Sequence, residues 1–152
     1  MSDVALVPGL ITALWTQWRQ PAAEPAPGTA LPAGLRLAQW ILGGLMVAMG
    51  AALFVAPGSA EQLWPWSLTP LTARMVGSFY LAIGVSLFAA ARENDYARIR
   101  VASFAYLVFA VLQLVTALRY PVVDWQTLPG LLLAAVLVAL LAIGGIGVRG
   151  GR

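Results

Sequence analysis

The chain contains no cysteine, no histidine and no lysine. Without cysteine there is no disulfide framework, no thiol redox chemistry and no iron–sulfur ligation. Without histidine there is no ordinary haem ligand, no imidazole acid–base catalyst and no imidazole pH switch. Charge of either sign is scarce, at 10% of residues. The six carboxylates, Asp3, Glu24, Glu61, Glu93, Asp95 and Asp124, all fall outside the apolar runs, so none is placed for an intramembrane proton relay or metal site. The serines have no histidine or lysine to activate them. "GGLMVAMG" and "GGIGVRGG" lack the strand context and Lys-Ser/Thr of a phosphate loop. The chain is therefore expected to be no enzyme and to carry no cofactor or metal.

What remains is apolar. Of 152 residues 61% are hydrophobic, with a mean hydropathy of +0.83. An ordinary soluble domain is about half apolar and about a quarter charged. The apolar residues fall into four runs of the length that crosses a bilayer core, about 20 residues each. The nine basic residues are all arginine and lie scattered at the ends of those runs. That is a membrane-protein placement and argues against nucleic acid as a partner. Abundant Ala, Gly and Arg without Lys suggests a GC-rich bacterial genome, and hence a bacterial cytoplasmic membrane.

The expected fold is all-α: a polytopic four-helix transmembrane bundle of two hairpins, preceded by an interfacial amphipathic helix. Residues 1–20 resemble a signal peptide only superficially, because the start is acidic and Pro8-Gly9 interrupts the apolar stretch. A helix there places Leu10, Ile11, Leu14, Trp15 and Trp18 on one face, which suits the membrane surface. Pro21 to Gly34 form a Pro/Ala-rich linker. Spans are expected over about 35–56, 70–91, 96–119 and 128–148, within a transmembrane domain of residues 35–152. Thr69-Pro70 and Thr127 with Pro129 read as helix starts. With the N-terminus inside, Arg19, Arg36, Arg92, Arg98, Arg100, Arg149 and Arg152 are internal and only Arg74 and Arg119 external. Both termini are therefore expected in the cytoplasm.

The two hairpins also echo one another. Arg36 precedes Pro57, and Arg100 precedes Pro121, by 21 residues; Trp66 precedes Pro70, and Trp125 precedes Pro129, by four. Parallel duplication gives such a pattern, and so does the ordinary gathering of Arg, Trp and Pro at helix ends.

Small residues mark expected helix seams. They are Gly44, Ala48 and Ala52; Ser78, Ala82, Ser86 and Ala90, beside Ala73, Gly77, Gly84 and Tyr80; and Ala135, Ala139 and Ala142. On the third span Ser103, Tyr106, Ala110, Gln113 and Ala117 form one stripe, expected to face the bundle because an unsatisfied amide in hydrocarbon costs several kcal/mol. The stripe reads either as interhelical hydrogen bonding or as a polar pathway.

The outer collar is the second candidate site: Glu61, Trp64, Trp66, Arg74, Asp124 and Trp125. Arg74 lies one turn into its helix, against the macrodipole and against the charge bias. Glu61, Asp124 or a lipid phosphate is expected to answer it. The stretch "WPWSLTPLTARMVGSFYLAIG", Trp64 to Gly84, resembles small four-span membrane proteins of bacteria of no assigned activity. The resemblance implies the same topology and directs interest to Trp64, Pro65, Trp66, Thr69, Pro70, Thr72 and Arg74.

Three functional readings follow. The leading one is an accessory or assembly subunit of a membrane complex, with lipid and other subunits, or further copies of itself, as partners. The alternatives are a small oligomeric facilitator or channel using Ser103, Tyr106 and Gln113, and a lipid- or pigment-binding module.

Overall fold

The computed structural model describes residues 28–120 and 123–150 together with Thr12, Trp15 and Thr16, apart from the side chains of residues 60 and 61. The amphipathic helix expected over residues 1–20 and most of the linker thus lie outside the described residues. Four long helices make up the remainder: α1 (Ala33–Val55), α3 (Pro70–Glu93), α4 (Tyr96–Arg119) and α5 (Leu128–Arg149), with a short α2 (Pro57–Ala60) and a 3-10 turn (Glu61–Leu63) after the first. At 22 to 24 residues each spans about 33–36 Å, enough for a hydrocarbon core of about 30 Å. The observed bounds lie within two residues of those read from the sequence.

The ends of the helices follow from local chemistry. Pro57 has no N–H to continue α1 and disfavours helical backbone at Ala56, where the helix stops. The Thr69 hydroxyl accepts from Thr72 N at 3.2 Å and Pro70 supplies a preset first residue. At the other end of α3, Asn94 takes left-handed backbone (φ 50°), which Asn tolerates better than most residues. Asp95 then caps α4, accepting from Ala97 N at 2.8 Å. Thr127 caps α5 and also donates to Asp124 O at 2.7 Å, fixing the turn before it.

The bundle consists of two tightly paired hairpins, α1 with α3 and α4 with α5, that touch each other sparsely. Lipid tails are as apolar as leucine, so pairing depends on close backbone approach rather than hydrophobic exclusion. In the first hairpin the approach is made by Gly43 and Gly50 of α1 against Gly84 and Gly77 of α3. A Cβ on Gly50 would stand 2.7 Å from Gly77 O, and one on Gly84 2.9 Å from Gly43 O. In the second, Gly144 and Gly147 pack on Ser103 and Leu107.

These contacts revise the expected seams. Ala73, Gly77, Tyr80 and Gly84 are buried as expected. Gly44 is not part of the α1 seam: a side chain there would meet only Phe88, at 3.9 Å, and Ala48 is exposed. The true seam is one residue away, on the face that carries Gly43 and Gly50. Ser78 and Ala82 are exposed, whereas Ser86 and Ala90 turn inward.

Large apolar side chains cover the outside, among them Leu37, Leu71, Phe79, Val101 and Leu118, each more than half exposed. A soluble monomer rarely presents contiguous apolar surface on this scale. This is a multi-pass integral membrane protein.

Candidate functional site

The collar is built by the connection between α1 and α3 and by the turn before α5. Trp64 packs edge-on against Trp66 (ring centroids 5.1 Å apart) and against Tyr80 (5.3 Å). Trp66 and Trp125 are partly buried against the core. A belt tryptophan keeps its N–H wet. Trp64 does not: it is 9% exposed, and its Nε1 is buried with no acceptor among the described residues.

Arg74 is exposed and forms no ion pair among the described residues. The Asp124 carboxylate accepts from Gln126 N at 2.9 Å, inside its own turn. A short acidic side chain at a turn is readily claimed by the backbone two residues on, and that is its use here. The Glu61 side chain lies outside the described residues, so pairing of Arg74 with Glu61 is not described.

The polar stripe of α4 does face inward. Ser103, Tyr106, Ala110 and Ala117 are buried and Gln113 is half-buried. Its members divide between two places. Tyr106 Oη and Ser86 Oγ are 2.6 Å apart, a side-chain hydrogen bond between the hairpins within their apolar length. Gln113 lines a separate space of about 390 Å³ near the collar, with Trp66, Thr116, Tyr120, Val123 and Leu133.

Gln39 belongs beside Ser103 and Tyr106, although the sequence reading gave it no role. It is fully buried, and neither amide atom has a partner among the described residues; Ser103 Oγ is likewise buried and unpaired. The contacts of Gly43 with Gly84 and Phe88, of Ser86 with Tyr106, and of Gly144 with Ser103 and Leu107 set the register of the four helices. By that register Gln39, one turn before Gly43, shares a layer with Leu87, Ser103 and Tyr106. The sequence signal was a glutamine four residues into an apolar helix, but its neighbours Arg36 and Trp40 suggested an interface.

At the opposite end from the collar, Asp95 ties residues 28–29 to the start of α4. Its carboxylate accepts from Gly28 N at 2.9 Å as well as from Ala97 N, and Tyr96 N donates to Thr29 O at 3.1 Å. A side chain on Gly28 would collide with that carboxylate. The Gly28 N–H, and after it the Ala97 N–H, hold the Asp95 carboxyl below the usual carboxylate range. Arg98 joins this end of the bundle through Glu93 at 3.0 Å and, more loosely, Asp95 at 3.9 Å.

Comparison with protein-family models, curated proteins and solved structures gives no match. The site's chemistry therefore rests on its own geometry. That geometry offers hydrogen bonding, apolar packing and, at Asp95 and Arg98, a surface cluster of charge.

Proposed function

We propose that the protein is a non-enzymatic accessory or assembly subunit of a complex in the bacterial cytoplasmic membrane, with both termini cytoplasmic. The observation that carries this reading is the uncovered face of α4. Only 17% of its most apolar stretch is buried, against 33–39% in the other three helices. Val101, Phe104, Val108, Val111 and Val115 form a single exposed stripe opposite the inward polar one. Stiff β-branched side chains present a well-defined surface to a neighbouring helix at little entropic cost. The arginine distribution supports the orientation, and the resemblance of Trp64–Gly84 to small four-span bacterial proteins supports the setting.

The test is extraction of the tagged chain from its own membrane in mild detergent, with quantitative mass spectrometry. A partner in fixed stoichiometry is expected, and it should be lost in Val108→Trp while the helical content and melting of the chain are retained. A chain recovered alone, with no change in its companions on altering this face, overturns the reading.

A second reading, a small facilitator, is favoured by the unpaired polar atoms of Gln39 and Ser103 at the hairpin interface. It requires solute flux in liposomes containing the chain alone, altered in Ser103→Ala or Gln113→Leu. Absence of flux removes it.

A further inference from the structure

Charge is distributed unequally between the two ends of the bundle. At the collar end two arginines, Arg74 and Arg119, are matched in number by Glu61 and Asp124. The opposite end carries five among the described residues, Arg36, Arg92, Arg98, Arg100 and Arg149, against two carboxylates, Glu93 and Asp95. Both carboxylates are already engaged. Glu93 pairs with Arg98 at 3.0 Å, and Asp95 accepts from Gly28 N and Ala97 N, with Arg98 at 3.9 Å. Arg36, Arg92, Arg100 and Arg149 are exposed and form no ion pair among the described residues.

These four come one from each long helix, and the helix register brings them to one level. Gly43 meets Gly84 and Gly50 meets Gly77, so the antiparallel pair α1 and α3 sets Arg36 opposite Ala91 and level with Arg92. The bond from Ser86 to Tyr106 sets Arg92 level with Arg100 across the hairpins. Gly144 against Ser103 and Leu107, with Gly147 against Ser103 and Ile99, sets Arg149 level with Arg100. The layer is no thicker than about one helical turn, roughly 5 Å. It lies about 27–29 Å from Arg74 along α3 and from Arg119 along α4, close to the thickness of a hydrocarbon core, about 30 Å. At that depth an arginine stem crosses the edge of the apolar layer and its guanidinium reaches the plane of the lipid phosphates.

Helix stability does not account for the layer. Arg36 and Arg100 stand within five residues of the starts of α1 and α4, where the macrodipole opposes a cation, and neither first turn holds an acidic residue. Four cations at one level also repel one another. Anions from outside the chain relieve both, and at this depth those are lipid phosphates; an acidic protein segment would lie beyond the helix ends.

We propose that Arg36, Arg92, Arg100 and Arg149 bind the headgroup phosphates of anionic phospholipid in the leaflet opposite the collar. The planar fork of each guanidinium donates to two phosphate oxygens. A lipid of net negative charge is favoured over a zwitterionic one, whose own ammonium already answers its phosphate. Near an anionic surface each arginine contributes about a fivefold preference. The site rests neither on the subunit reading nor on which face of the membrane is cytoplasmic.

The experiment uses the full chain in detergent with phosphatidylglycerol and phosphatidylcholine of equal chain length, and native mass spectrometry reads the ratio retained. Phosphatidylglycerol is expected to be retained about fivefold better or more, by a margin that narrows as salt is raised. Arg36→Gln with Arg92→Gln, and Arg100→Gln with Arg149→Gln, each remove one hairpin's pair and leave the other to hold the orientation. Each double variant should lower the preference several-fold with helical content unchanged by circular dichroism. Arg74→Gln with Arg119→Gln, the same loss of charge at the collar end, should leave it in place. Equal retention of the two lipids by the unaltered chain overturns the proposal without recourse to any variant. So does a preference untouched by either pair or lost as fully in the collar variant. Displacement of phosphatidylglycerol by millimolar inorganic phosphate at constant ionic strength also overturns it, by marking a free-anion site instead.

Discussion

Gly50→Ala tests the packing of the first hairpin at its tightest point. The added methyl would lie 2.7 Å from Gly77 O and 2.8 Å from Leu81 N, both backbone atoms, where ordinary contact begins at 3.4 Å. The deficit is about 0.7 Å, and neither neighbour can swing aside, so α1 and α3 must separate by about that much. A gap of 0.5–1 Å already forfeits roughly a quarter to a half of each dispersion contact. Overpacking of this kind costs about 1–3 kcal/mol, against about 0.5–1 kcal/mol gained when alanine replaces glycine in a helix. The net effect is destabilising. Gly145→Ala is the control, because nothing stands within 4 Å of a side chain there, and it should be neutral or slightly stabilising. Reversible unfolding in mixed micelles, titrated with a denaturing detergent, compares the two. Equal stability of Gly50→Ala and Gly145→Ala would refute the close glycine seam.

Three further outcomes follow from buried polar groups and the end opposite the collar. Gln39→Leu removes two unpaired amide atoms from the core and should stabilise the bundle by about 1–3 kcal/mol in the same titration; a loss of stability would show that the amide has a partner. Ser86→Ala and Tyr106→Phe should each cost about 0.6–2 kcal/mol, and the double variant no more than either alone; additive losses would show that the 2.6 Å contact contributes nothing. Asp95 titrates below its unfolded value, so its contribution is present above the ordinary carboxylate range near pH 4 and is lost as pH falls through the lower folded value. Proteolysis near Gly28–Thr29 should therefore rise in acid and, in Asp95→Ala, already be raised at pH 7; cleavage independent of both would contradict the tie.

Much of this architecture is legible in the residues, because span length and helix caps are local properties. Twenty apolar residues ending at Pro57 or opened by Thr69-Pro70 need no tertiary information to be read as a helix. The inward face of α4 is legible too, since Ser103, Tyr106 and Gln113 have no other tolerable place. Which small residues touch is another matter. Gly43 and Gly44 are adjacent, and only the direction from which α3 approaches decides between them. Gln39 was obscured by its neighbours: Arg36 and Trp40 mark an interface, yet Gln39 projects from a different face of the same turns. Asp124 illustrates a competition that a sequence does not display, with Gln126 N two residues away taking the carboxylate that charge complementarity would give to Arg74. The tie from Asp95 to Gly28 joins residues 67 apart and has no local signature.

The most direct measurement exploits the absence of cysteine. Single cysteines at Ser59, Gln126, Asn94 and Gly150 give four otherwise thiol-free chains for labelling with a membrane-impermeant reagent from either side. A four-span bundle of two hairpins requires Ser59→Cys and Gln126→Cys to react from one face and Asn94→Cys and Gly150→Cys from the other. Reaction of Ser59→Cys and Gln126→Cys from opposite faces, or of all four from the same face, would contradict it.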